Sequence, residues 1–294
     1  MISWLRRSRN RVTQGDPANP ADRPYPPHGP VTALRVIGQG FDVKLDPERT
    51  EQVIGRARPP QVDIHLPEPS VSRRHALIRR IPDGLEIIDC DSRNGVGVPK
   101  IGLTRTYPRS DHVVATVGSR FVLGSVQLLA LDDLTHRLVP CLATHLGRDA
   151  EDDIDRALEA VTCSRMLVLR SARTDQYRDL GRTLHAHSIR RSHPFTRIAK
   201  PASDKACDEV CARAAWGTLF VDMSRPFLLP LELARNLLSQ RFHLWTVIVT
   251  PESAEQVLSR FGAALVEPKP RDFGISMVGF SGPYWRGQNG VLRW

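Results

Sequence analysis

Residues 55–95 read GRARPPQVDIHLPEPSVSRRHALIRRIPDGLEIIDCDSRNG, and this stretch decides the fold of the first half of the chain. Short apolar stretches alternate with turns rich in Pro, Gly, Asn and Asp, which is typical of an all-β sandwich. Polar clusters fall on three of the turns: Gly55-Arg56, Ser72-Arg73-Arg74-His75 and Ser92-Arg93-Asn94-Gly95. Because loops at one end of a rigid sandwich collect binding residues, and Arg, Ser and Asn side chains suit a phosphate on a peptide, these turns predict a binding site.

The flanking sequence extends the sandwich in both directions. Residues 31–37 and 41–45 predict a first hairpin with glycines in its turn, and residues 117–124 and 126–131 predict a last strand pair. We therefore expect one domain over residues 31–135.

The order Gly-Arg, Ser-x-x-His, Ser-x-Asn-Gly resembles the forkhead-associated (FHA) domain, a phosphothreonine-binding module. The resemblance implies that Arg56 and Ser72 hold the phosphate and that Asn94 bonds the peptide backbone beside it. Arg73 and Arg93 would add charge or set selectivity.

Three further residues have structural roles by the same resemblance. His75 would brace the loop that bears the serine, and Gly55 and Gly95 would be turn residues where a side chain would hinder. Val96 departs from the family, which usually has Thr after Asn-Gly.

Length and composition indicate the number of domains and the class of protein. The chain has 294 residues, which favours two domains, and no apolar stretch reaches the roughly 18 residues of a membrane span. The start of the chain has basic residues but no apolar core after them, so we expect no secretory signal. Five scattered cysteines without a Cys-x-x-Cys pair predict reduced thiols and a cytoplasmic, bacterial-type protein, with no metal and no cofactor.

The net charge of +9 raises nucleic-acid binding as a second class of function. The positive charge is dispersed, however, and no helix-turn-helix with a basic recognition helix is evident. Specific recognition of nucleic acid is therefore not expected.

Residues 1–30 predict a disordered arm that is basic at its start and rich in Pro, Asn, Asp and Gly after it. Thr13 follows basic residues in this arm, and Asp16 lies three places after it. Phosphorylated Thr13 docking on an FHA domain of the same or a neighbouring copy would give self-association; an unmodified tail is the alternative.

The pattern of apolar and polar residues changes at about residue 136. Helical and continuous apolar stretches alternate from residue 152 to residue 261, which predicts a parallel α/β sheet over residues 136–280. Asp152, Asp153 and Asp155 are interpreted as helix-start charges rather than metal ligands. Residues 281–294 predict a tail, either docking, disordered or packed on the domain.

The order of these elements resembles the nucleotide-binding core of AAA+ ATPases, most of all the bacterial enhancer-binding activators. The resemblance rests on a strand at 166–169, a helix with Gly181-Arg182-Thr183-Leu184-His185, and the stretch Ala215-Trp216-Gly217-Thr218-Leu219-Phe220-Val221-Asp222. An unrelated Rossmann-like domain is the alternative.

Departures from that core argue against catalysis. Residues 170–177 read RSARTDQY, with no glycine to wrap phosphates, and Gln176 stands in the place of the P-loop lysine. Asp222 is present, but Met223 stands where the water-activating glutamate is expected. The insertion that would contact the polymerase is missing between Phe195 and Trp216.

The sequence therefore predicts a non-enzymatic, phosphothreonine-dependent adaptor in bacterial signalling, with an inactive AAA+-like domain. Its expected partners are a phosphothreonine-containing protein and a protein bound by the second domain. The alternative is a transcription-linked or DNA-associated regulator related to the enhancer-binding activators.

Overall fold

The structure is a computed structural model. It describes residues 28–99, 109–147, 150–163, 166–170, 174–199, 203–223, 230–238, 242–253, 256–257, 259–261, 274–278 and 291–293. Outside these ranges lie residues 1–27 of the predicted arm, with Thr13, residues 171–173 of the loop that replaces the P-loop, and most of the tail.

The first part of the chain is a sandwich of two sheets, with strand orders β2-β1-β11-β10-β7-β8 and β4-β3-β5-β6-β9. Its core consists of the inward residues of both sheets, among them Leu34, Ile87 and Phe121, all fully buried. Neighbouring strands are antiparallel except for β3 and β4. The strands are β1 (Val31–Val36), β2 (Phe41–Lys44), β3 (Glu51–Gly55), β4 (Ile64–His65), β5 (Ala76–Ile81), β6 (Gly84–Asp89), β7 (Val96–Gly97), β8 (Arg109–Ser110), β9 (His112–Ala115), β10 (Arg120–Leu123) and β11 (Val126–Asp132).

The second part is an α/β unit whose sheet has the order β13-β14-β15-β12-β16-β17. Strands β12 to β16 are parallel, and β17 is antiparallel to β16. Every residue of β14 and β15 is buried, as expected where helices cover both faces of a parallel sheet. The elements are β12 (Met166–Arg170), α4 (Thr174–Ala186), β13 (Phe195–Ile198), α5 (Asp204–Arg213), β14 (Thr218–Asp222), α6 (Leu231–Leu238), β15 (Trp245–Thr250), β16 (Gly274–Val278) and β17 (Val291–Arg293).

Three helices connect the two parts: α1 (Asp133–His136), α2 (Leu138–Leu146) and α3 (Glu151–Thr162). Leu129 and Leu131 on the outer face of the sandwich belong to the same buried cluster as Leu142, Leu158 and Val247. The two parts are therefore joined through a continuous apolar core.

Helix α3 also presents a row of carboxylates to the sandwich. Arg35 on β1 is almost fully buried, and its Nε donates to Asp155 Oδ1 at 2.7 Å. The same guanidinium contacts Glu151 and donates to Asp42 at 3.2 Å. Asp155 Oδ2 accepts a bond from the backbone N–H of Gly38 at 2.8 Å.

A second carboxylate of α3, that of Glu159, also forms an ion pair with an arginine of the sandwich. Glu159 lies four positions after Asp155, hence on the same helix face, and its buried carboxylate pairs with Arg120 on β10 at 2.5 Å. The interpretation of Asp155 as a helix-start charge was wrong, because its carboxylate is buried in an ion pair that only the tertiary fold creates.

The expected all-β sandwich and the expected parallel α/β sheet are both observed. Residues 291–293 of the predicted tail form the last strand of the second sheet, so the packed alternative holds for that segment. Among the described helices, none has the length and apolar character needed to cross a membrane.

Candidate binding site

The predicted site residues meet at one end of the sandwich, because β3, β4 and β6 all run towards that end. The backbone N–H of Arg56 donates to Ser72 O at 2.9 Å, and that of Ala57 donates to Arg73 O at 3.0 Å. These bonds join the loop after β3 to the loop before β5. Gly55 makes the close approach feasible, since a Cβ there would lie 2.2 Å from Arg73 O.

The polar side chains are held in place but keep hydrogen-bonding capacity. Arg56 Nε donates to Val71 O at 3.1 Å, and no described residue accepts a bond from its two terminal nitrogens. Ser72 Oγ accepts a bond from the backbone N–H of Arg93 at 2.9 Å, which leaves the hydroxyl hydrogen to donate. Asn94 Nδ2 donates to Ser70 O at 2.7 Å, so its amide lies beside the serine loop.

His75 connects two of the loops from within. Its ring is fully buried, and Nδ1 accepts the backbone N–H of Ser72 at 3.0 Å. Because a backbone N–H only donates, Nε2 carries the hydrogen and donates to Gly95 O at 3.0 Å. The neutral imidazole thus fixes the spacing between Ser72 and the loop that bears Asn94.

Burial lowers the pKa of His75 below its ordinary value of 6.5, although the bond to Gly95 opposes the shift. The unfolded chain therefore takes up a proton that the folded chain excludes, and stability present above pH 6.5 is lost as the pH falls. We expect wild type to lose more free energy of unfolding than His75→Gln between about pH 7.5 and about pH 5. Denaturant titrations of both proteins check this, and equal losses would contradict it.

Arg109 is a site-supporting residue that sequence reasoning missed. Its Nη2 donates to Ser92 O at 2.9 Å and to Asp89 Oδ2 at 3.2 Å. Its aliphatic stem covers Gly95, whose φ of 75° and lack of a side chain both fit this contact. No local pattern links Arg109 to the motif, because the contact arises from the pairing of β7 with β8.

An ion pair lies at the carboxyl end of the strands of the second sheet. Asp222 ends β14, and its Oδ2 accepts bonds from Nη2 and Nε of Arg197 at 2.5 and 3.2 Å. The following residue, Met223, is buried in the core.

Comparisons with known proteins address the sandwich. The family model described as FHA domain matches residues 52–124. A similar solved structure is the FHA domain of the CT664 protein from Chlamydia trachomatis, which is 25% identical with a TM-score of 0.28, covering 34% of this chain and 95% of that one. Another is Mycobacterium tuberculosis EmbR in complex with a low affinity phosphopeptide, 26% identical with a TM-score of 0.28, covering 34% of this chain and 24% of that one. No curated protein matches the chain.

The family match therefore identifies residues 52–124 as an FHA domain. The family match includes all the predicted site residues and ends before the α/β part.

Proposed function

We propose that this chain is a phosphothreonine-dependent adaptor. The observation that carries the proposal is the meeting of Arg56, Ser72 and Asn94 on three adjoining loops of the FHA domain. A guanidinium and a hydroxyl bond a phosphate dianion strongly, and a carboxamide both donates to and accepts from a peptide backbone.

The supporting residues have a division of roles in this proposal. Arg73 and Arg93 are exposed beside Ser72 and add positive charge. His75 and Gly95 keep the two loops at the distance that one phosphothreonine would bridge, and Gly55 permits the close contact between loops.

A direct test compares peptide pairs that differ only in one phosphate on threonine. The full-length protein should bind phosphorylated members of a threonine peptide library and not their unphosphorylated partners. Ser72→Ala should weaken that binding by about 1.5–3 kcal/mol, the range for hydrogen bonds to charged groups. Ser110→Ala removes a hydroxyl whose one bond among the described residues is to His112 O, and it is the matched control. Equal binding of both members of every pair would overturn the proposal.

For the α/β part we propose an inactive AAA+-like domain. Its fourth strand in chain order, β15, lies between the first, β12, and the third, β14. This order differs from both common doubly wound orders, which argues against the alternative of an ordinary Rossmann-like domain. Asp222 stands in the place of the metal-binding aspartate, but its carboxylate is paired with Arg197.

The purified protein is accordingly expected to show no ATP hydrolysis above background. Met223→Glu should not restore turnover, because the missing glycines and lysine leave the phosphates without positioning. A phosphate-release assay of wild type, Met223→Glu and Asp222→Ala checks this. Turnover in wild type that Asp222→Ala abolishes would disprove the proposed inactivity.

A further inference from the structure

A stacked pair of rings lies at the amino end of the second sheet. Trp216 and His243 each precede a strand by two residues, β14 and β15 respectively. Their rings are nearly parallel, with an angle of 9° between the planes and 3.9 Å between the centroids, and Trp216 remains 36% exposed. The pair is thus at the edge of the sheet opposite to the one where Asp222 meets Arg197.

The backbone at this pair is strained. Trp216 has a φ of 64° and His243 a φ of 51°, in the left-handed region that a bulky residue rarely adopts. Nη1 of the buried Arg190 connects the two residues, since it donates to Trp216 O at 2.9 Å and to His243 O. Glycine would adopt such a backbone without strain, so a large exposed ring at this position indicates a role in binding rather than in folding.

The sequence around the pair carries positive charge and no negative charge. The stretches that lead into β13, β14 and β15, residues 180–194, 210–217 and 238–244, contain five arginines and no Asp or Glu. The turn with Arg190 also carries Arg191, which is exposed. Partial burial and the charge of Arg190 lower the pKa of His243 below its ordinary value of 6.5, so this ring stacks on Trp216 as an uncharged imidazole at neutral pH.

We infer that Trp216 and His243 form a stacking platform for the bases of single-stranded nucleic acid, bound without regard to sequence. Single-strand sites of this kind combine aromatic rings, on which bases stack, with cations that meet the phosphates. Here Trp216 would stack on a base and Arg191 would meet a neighbouring phosphate. An acidic peptide shares the charge but offers no row of planar rings to extend the stack, and the bases of a duplex are already stacked on one another. The platform belongs to the α/β part and does not require phosphopeptide binding by the FHA domain.

The test compares two single-stranded ligands of equal charge, an oligothymidylate of about 16 nucleotides and an abasic oligonucleotide of the same length. Fluorescence anisotropy with the full-length protein measures both dissociation constants. We expect the oligothymidylate to bind about tenfold more tightly, which is about 1.4 kcal/mol and lies within the range for one base–aromatic stack. Binding of both ligands should weaken as the salt concentration rises.

Substitutions at Trp216 connect this preference to the platform. In Trp216→Gly the ratio of the two affinities should fall from about ten to about one while the fold is kept, because glycine adopts the left-handed backbone readily. Trp216→Asn should have the same effect, since asparagine also tolerates this conformation. Phe41→Ala is the matched control, because Phe41 is 37% exposed on the sandwich, and it should leave the ratio unchanged.

The contribution of charge is measured separately. Arg191→Gln should weaken both ligands equally and lower the slope of log affinity against log salt by about 0.7, the value for one phosphate contact with a single strand. An Arg191→Gln variant with the wild-type slope would overturn the assignment of Arg191 to a phosphate.

The contrary outcomes concern the bases. A wild-type ratio near one, or a ratio that survives both substitutions of Trp216, would show attraction by charge alone and overturn the inference. A ratio lost in Phe41→Ala, tighter binding of a duplex of the same length, or no binding of either oligonucleotide would also overturn it. None of these outcomes affects the proposed binding of phosphothreonine, which is measured with peptides.

Discussion

Arg35→Ala is expected to lower the free energy of unfolding by about 3–5 kcal/mol, the range for removing one partner of a buried ion pair. The Arg35 side chain is 2% exposed and that of Asp155 is 3% exposed. Without the guanidinium, the buried carboxylate of Asp155 keeps the hydrogen bond from the backbone N–H of Gly38 and the attraction of the Arg120 charge. The helix that joins the two parts of the protein would then carry a buried charge without the cation that bonds it directly.

Equilibrium denaturation of wild type and variant measures the loss. Arg79→Ala is the control, because Arg79 forms exposed pairs with Glu51 and Glu86 on the same sandwich and should change stability little. Arg35→Met combined with Asp155→Leu should be less destabilised than Arg35→Ala, since both charges are removed together. A double variant at least as unstable as Arg35→Ala would show that the charge pair is not the cause.

The pH dependence of this loss has a definite sign. Burial raises the pKa of Asp155, although the bonds from Arg35 and Gly38 oppose the shift. Without Arg35 the pKa of Asp155 in the folded variant should rise further above its unfolded value of 3.8. The variant therefore keeps its stability below pH 3.8 and loses it as the pH rises through the folded-state pKa of Asp155. The difference between Arg35→Ala and wild type should therefore be smaller in mild acid than at neutral pH.

Arg56→Ala is expected to weaken phosphothreonine-peptide binding by about 1.5–3 kcal/mol while the fold persists. The guanidinium is exposed, and its only described hydrogen bond is from Nε to Val71 O, so its removal costs little in the unbound protein. In the complex, the substitution would leave the phosphate dianion without the planar guanidinium that donates two parallel hydrogen bonds.

Titration calorimetry with one phosphorylated peptide measures the effect. Arg56→Lys keeps the positive charge but loses the paired N–H donors of the planar guanidinium, so we expect intermediate affinity. Arg49→Ala, at the opposite end of β3, should bind as wild type does. If Arg56→Ala bound like wild type, the assignment of the phosphate contact would be wrong.

The local motifs were enough to predict the sandwich and the meeting of the three loops. Gly55, Ser72, His75 and Asn94 fall on turns whose positions follow from the apolar stretches between them. The apolar strands at 166–170, 218–222 and 245–250 likewise predicted a parallel sheet, because strands buried on both faces lack alternation.

Contacts between distant segments could not be predicted in this way. The row Glu151, Asp155, Glu159 has the spacing of a solvated helix face, and only the position of Arg35 and Arg120 on the sandwich buries it. Strand β16 was missed because Gly274–Val278 is short and follows a long stretch without periodicity. Arg109 was missed for the same reason as the acidic row, since its partners come from another segment.

The shared core and the buried ion pairs between β1, β10 and α3 have a consequence for avidity. In most tandem binders a flexible linker sets the effective concentration of the second contact, and partners of many lengths can engage both sites. Here a peptide on the FHA loops would sit at a fixed offset from the α/β sheet. A partner that touched both parts would gain affinity only if the spacing between its phosphothreonine and its second contact matched that offset, so selectivity would follow from distance as well as from sequence.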